Sequence, residues 1–167
     1  MEFYYGRDIL DFHTLTVMED RSLFDSVDTA TIREHFRQWA ENTYRSEQQQ
    51  PGTGNDVRMG TSPRYRYCIQ VDAAALHSVV HNSPPPPQPA PEGWVKLIEK
   101  DWILRSQNPL FRNHPDSNVH EPIEGVTEYD VGWVKCLYQD VMSGSYASTI
   151  EWNNWGRDYQ RPPMIVG

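Results

Sequence analysis

The chain has 167 residues and a net charge of −8, with 15 basic residues against 23 acidic ones. No Lys/Arg-rich run is present, so nothing offers the basic footprint that displaces counterions from nucleic acid or draws a protein to an anionic membrane. That length suits one domain with its own core.

The hydrophobic fraction is 38%, but 6 Trp and 9 Tyr are present. Each aromatic buries roughly 150–250 Å², so few residues carry much of the core. No apolar run approaches the ~18 residues of a membrane-spanning helix. The start, Met-Glu-Phe-Tyr-Tyr-Gly-Arg-Asp, lacks the basic and apolar regions of a signal peptide. These features point to a cytoplasmic protein in which Cys68 and Cys136 are reduced thiols. There is no Cys-x-x-Cys pair for a thiolate zinc site.

Residues 1–20 predict one strand or two short ones, with Ile9, Leu10, Phe12, Leu15 and Val17 set among polar residues. Residues 28–46 predict a helix. Asp28, Thr29 and Thr31 are candidate caps, and Thr31 has Glu34 at capping-box spacing. Ile32, Phe36, Trp39, Ala40 and Thr43 form its inward stripe, with Arg33, Glu34, Arg37, Gln38 and Glu41 outward. Residues 47–63 lack periodicity and read as a mobile loop.

Residues 64–71 alternate as a strand, with Tyr65, Tyr67, Ile69 and Val71 on one face. Asp72 then caps a short helix from Ala73 to about His81, whose apolar side is Leu76, Val79 and Val80. Residues 83–92 are Pro-rich and read as a stiff polyproline connection. Two further strands carry a repeated tetrapeptide, Gly93-Trp94-Val95-Lys96 and Gly132-Trp133-Val134-Lys135. Both are apolar on two faces, as central strands are. Two copies are too few for a solenoid, so they read as neighbouring strands under similar demands, or as a chance repeat. Residues 103–126 are a long loop. Residues 143–155 predict a helix, followed by a short extended tail after Arg161-Pro162-Pro163.

The sum is a single α+β domain over residues 1–167. The expectation is a mixed or mostly antiparallel sheet of about five or six strands, with two or three helices packed on one face.

The segments Ile69-Gln70-Val71-Asp72, Ala75-Leu76-x-Ser78-Val79-Val80, Gly93-Trp94-Val95, Pro122 to Trp133 and Arg161-Pro162-Pro163 together resemble a group of small uncharacterised proteins of filamentous fungi. The resemblance spans roughly residues 64–166. It implies a one-domain layout and transfers no catalytic residue.

Three constellations could carry chemistry. His77 and His81 share a helix face, and with His114 and His120 they form a candidate metal set; four exposed residues beside turns is the simpler account. Glu124, Glu128 and Asp130 lie in an acidic loop without Lys or Arg, and paired carboxylates can divide acid and base roles. Tyr129, Trp133 and Trp94 are the aromatics placed to wall a ligand site near that loop. No phosphate-binding or nucleophile motif occurs. The expected function is therefore recognition of a protein partner or a small apolar ligand, without a cofactor. The alternative is a small cofactor-independent isomerase or hydrolase that uses a His, Glu or Asp in an aromatic-lined pocket.

Overall fold

The computed structural model describes residues 15–48, 62–81, 93–113, 118–142 and 154–166. Of the elements expected over 1–20, 47–63, 83–92 and 143–155, residues 1–14, 49–61, 83–92 and 143–153 lie outside the described residues; residues 15–20 form no strand, and the helix expected to end at 46 runs on to Gln48.

The domain is α+β. The helices are α1 (Arg21–Phe24), α2 (Thr29–Gln48), α3 (Ala73–His81) and α4 (Asn154–Asp158), with a 3₁₀ turn at Pro63–Tyr65. The strands are β1 (Tyr67–Gln70), β2 (Trp94–Glu99), β3 (Trp133–Leu137) and β4 (Ile165–Val166). They form one mixed sheet in the order β1-β2-β3-β4. The first two pairings are antiparallel and the last is parallel. Four strands among the described residues replace the expected five or six.

The two Gly-Trp-Val-Lys copies are central neighbours, as their two-sided apolar pattern implied. Their register places Lys96 opposite Lys135, Trp94 opposite Leu137 and Ile98 opposite Trp133. The copies are therefore related by a local two-fold axis between the lysines. The hydrogen bonds obey it. Tyr138 N donates to Gly93 O and Glu99 N donates to Gly132 O, each at 3.0 Å.

Strand alternation gives the sheet two faces. One carries Tyr67, Ile69, Val95, Leu97, Val134 and Cys136, and is covered by Trp155 of α4 and by Tyr159. The other carries Cys68, Ile98 and Trp133, against which Ile32 of α2 packs. Cover thus lies on both faces, not on one as expected, because both faces of β2 and β3 are apolar. The free thiols Cys68 and Cys136 fall on opposite faces.

Helix α2 is capped by Asp28, whose Oδ1 accepts from Thr31 N at 2.8 Å. Thr31 lies inside the helix, and Glu34 turns to Arg37 and Gln38 instead of closing a capping box. Phe36, Ala40 and Tyr44 are buried, joined by Tyr65. Tyr65 was expected beside Tyr67 on a strand. Pro63 at the start of the 3₁₀ turn delays that strand and sends Tyr65 to the helix side instead.

The largest departure on α2 is Arg33, predicted on the solvent face and found 7% exposed. Its Nε donates to Glu99 O at 2.9 Å, and its Nη2 to Gly132 O at 3.2 Å and Val131 O at 3.4 Å. The guanidinium stacks on Trp102, 4.8 Å from the ring centre.

Helix α3 has the predicted bounds and the predicted cap, Ala75 N donating to Asp72 Oδ1 at 2.8 Å. Its buried face is rotated, and of the predicted apolar side only Val79 stays half-buried. Ala75 and Ser78 point in, while Leu76 and Val80 are 56% and 60% exposed. Close approach is the cause: Ser78 Oγ accepts from Trp94 N at 3.0 Å, and the gap beside Gly93 admits no larger side chain.

Gly132 sits at φ +76, and a Cβ there would come within 2.5 Å of Arg33 Nη2 and the Trp102 ring. Gly125 has a similar φ of +82 but open space around it. Gly132→Ala is expected to cost about 3 kcal/mol in urea unfolding, and Gly125→Ala only about 1 kcal/mol.

Candidate functional site

The acidic loop works first as a set of fastenings. Ile123 and Val126 bond each other in both directions, closing a two-residue turn whose central residues, Glu124 and Gly125, have φ of 50° and 82°. That is the twist of a type I′ turn, and Gly125 suits it. Glu124 does not, and its carboxylate is fastened elsewhere. Oε2 accepts from Thr29 N at 3.1 Å and Oε1 from Thr29 Oγ1 at 2.9 Å, at the first turn of α2.

Glu128 accepts from the backbone N of Arg105 at 2.7 Å. Asp130 accepts from Gly132 N at 2.7 Å and from Trp155 Nε1 at 3.0 Å. The three predicted acids each hold a different segment. Arg161 completes the clamp. Its guanidinium donates to the carbonyl oxygens of Glu121, Val126, Glu128 and Tyr129.

The predicted aromatics divide. Tyr129 is 46% exposed and touches His120 and Tyr159. Trp133 is buried in the core, with Ile98 and Val131. Trp94 is half-buried beyond the reach of the clusters that α2 forms.

Three of the four predicted histidines lie among the described residues. His77 and His81 are exposed on α3 with ring centres 4.3 Å apart. His120 lies against Tyr129, and His114 is outside the described residues. Among the described residues no three His, Cys, Asp or Glu are placed to hold a metal.

Two features were missed by sequence reading. The first is Glu99, at the end of β2 opposite Tyr67. Burial raises its carboxyl to about 7, and the charge of nearby Asp130 adds to the effect. Arg66 Nη2 at 3.8 Å opposes it. Burial also raises Asp130, against its bonds from Gly132 and Trp155. Glu99 thus has a proton to give or take near neutrality, beside Tyr67 and close to Asp130. No spacing rule pointed to it, because the pair is assembled by register between β2 and the loop before β3.

The second is the lysine–tryptophan half of the sheet. One row across it runs Gln70, Lys96, Lys135, Ile165. The lysines lean along opposite diagonals, Lys96 Nζ 4.6 Å from the Trp133 ring centre and Lys135 Nζ 3.8 Å from that of Trp94. This follows from the local two-fold, and the repeated Trp-x-Lys was its signal. Lys96 also reaches Asp72 at 3.0 Å and Glu124 at 3.5 Å. Lys135 has no carboxylate within ion-pair distance among the described residues. The side-chain oxygen of Gln70 is buried without a donor among them.

Comparison with family models, with curated proteins and with solved structures finds no match for the chain.

The raised Glu99 carboxyl fixes a pH dependence. Its native value of about 7 exceeds the ordinary 4.5, so the folded state binds its proton more tightly than the unfolded state. Stability is therefore greatest at the acid end of that window and falls as pH rises from about 4.5 to about 7. In urea titrations across the window, Glu99→Gln is expected to flatten the fall. At pH 8 it is expected to exceed the parent in stability by on the order of 1–3 kcal/mol.

Proposed function

We propose that the protein is a recognition domain that holds a small ligand against the lysine–tryptophan half of its sheet. The observation that carries this is Lys135, an ammonium lying on the Trp94 ring with no carboxylate partner among the described residues. A charge held half out of water is costly unless something completes its shell. Lys96 has its two acids. Lys135 has an aromatic face beside it and no carboxylate within ion-pair distance among the described residues. Trp94, Leu137 and Ile165 supply half-buried apolar surface next to it. A flat, largely apolar molecule with one anionic or carbonyl oxygen matches that combination. Trp94 keeps the ligand-contacting role expected of it. Trp133, buried beneath Lys96, supports the site from below.

A second reading is supported by Glu99. An acid that titrates near neutrality beside Tyr67 and Asp130 suits a small cofactor-independent enzyme using general acid–base catalysis. It lies on the opposite sheet face from the lysines, so the two readings are separable by mutation.

8-Anilinonaphthalene-1-sulfonate carries both an apolar ring system and an anion, and serves as the probe. Fluorescence titration is expected to show saturable binding to the native protein. Lys135→Met and Trp94→Leu are each expected to weaken it about tenfold. Glu99→Gln is expected to leave it unchanged. Equal binding by the parent, Lys135→Met and Trp94→Leu would place the ligand elsewhere.

A further inference from the structure

Helix α3 reads Ala-Ala-Ala-Leu-His-Ser-Val-Val-His and contains no Asp, Glu, Lys or Arg. Its inner side is taken up by close packing. Ala75 and Ser78 are buried, and Ser78 Oγ donates to Ala75 O at 2.7 Å and accepts from Trp94 N at 3.0 Å. The outer side is left to Ala73, Leu76, His77, Val80 and His81, all exposed. Leu76 and Val80 lie four apart, as do His77 and His81, so one stripe sets two apolar side chains beside two imidazoles.

The imidazoles are placed to share a ligand. Their ring centres are 4.3 Å apart, and neither makes a hydrogen bond or ion pair among the described residues. The backbone beneath them is held by the Asp72 cap and by the bond from β2 to Ser78. Ordering the pair therefore costs a ligand little backbone entropy. His81 is the last residue of the helix, where the carbonyl end of the dipole favours a cation. Imidazole nitrogen suits borderline divalent ions. Two such donors are half of the tetrahedral shell that closes a structural zinc site. One chain thus carries half a site, and a second copy related by a two-fold axis brings the other half.

We propose that His77 and His81 hold Zn²⁺ or a similar borderline divalent ion between two copies of the chain that meet through α3. The stripe suits a second copy. Leu76 and Val80, 56% and 60% exposed, lie beside the ion on both copies, and the helix sets no like charges opposite one another. The area is small. Nine residues make a helix only about 13 Å long, which falls far short of the roughly 800 Å² per partner of a stable interface. Two chains of net charge −8 also repel. Apolar contact alone therefore leaves the copies apart, and the cation supplies what the area lacks. This association goes beyond the ligand face proposed above and uses none of its residues.

The test is the molar mass of the full chain, by light scattering after size exclusion at pH 7.5, in EDTA and with half a molar equivalent of ZnCl₂. The chain is expected to be monomeric in EDTA and dimeric with zinc. His77→Gln and His81→Gln change exposed side chains and leave the fold intact. Each is expected to stay monomeric with zinc and to bind it at least about tenfold more weakly in competition with a colorimetric chelator. Leu76→Lys sets like charges across the two-fold axis and is expected to weaken the zinc-dependent dimer about tenfold. A mass that zinc leaves unchanged overturns the proposal, as does a dimer that survives EDTA. A zinc-dependent dimer that forms equally in both histidine variants also overturns it, because the ion then sits on other residues. Leu76→Lys dimerising as readily as the parent overturns the contact through α3.

Discussion

Arg33 is a charged side chain over which the fold closes, and the rest of the domain is arranged to permit it. Removing a guanidinium from water costs several kcal/mol unless its donors are met. Here they are met by main-chain carbonyls of Glu99, Val131 and Gly132, not by a carboxylate. Those carbonyls belong to the end of β2 and the entry to β3, so one side chain of α2 fixes the helix to two strands at once. Gly132 must turn at φ +76 with no Cβ to let the guanidinium and Trp102 approach. Acids gather at a distance. Glu124 and Glu99 both favour the charge on Arg33 electrostatically, and Arg33 in turn acts against the burial that raises Asp130.

The same constraint organises the acidic loop. Glu124 holds the first turn of α2, the helix that carries Arg33, so the loop and the guanidinium close on one another. A non-glycine residue at positive φ is strained, and such a position persists when its surroundings over-determine it. Two bonds to Thr29 and an ion pair to Lys96 do that for Glu124. The carboxylate thus links the helix start to the lysine row.

Legibility in the sequence followed the range of the interaction. Local rules found α3 to the residue, because Asp72 caps it through a neighbour three positions on. They found β2 and β3 and their central place, because alternation is a property of each strand alone. They failed where contacts cross the chain. Arg33 has outward spacing on a helical wheel, and only the carbonyls of residues 99, 131 and 132 draw it in. Leu76 and Val80 have inward spacing, and only the narrow gap at Gly93 turns them out. Trp94 and the acidic loop were singled out from the sequence, but that the three acids of the loop fasten other segments was not readable there. Glu99 was not, since it has no motif and gains its character from burial and from the nearby Asp130; Lys135 stood in the repeated tetrapeptide, but its place opposite Lys96 comes only from the register.

The Gly-Trp-Val-Lys repeat shows why symmetry in the sequence need not give symmetry in chemistry. The local two-fold sets two ammonium groups face to face, an arrangement that is unfavourable by itself. Each finds an indole by leaning along its diagonal. The axis ends there, because the segments beyond the strands differ. Lys96 meets the cap of α3 and the turn of the acidic loop, both acidic for reasons of their own. The corresponding side of Lys135 is bounded by Leu137 and the two-residue strand β4. One lysine is therefore paired with groups already needed to start two helices, while the other has no carboxylate within ion-pair distance among the described residues and has its pKa lowered by burial. A pair made equal by the strands is made unequal by the caps.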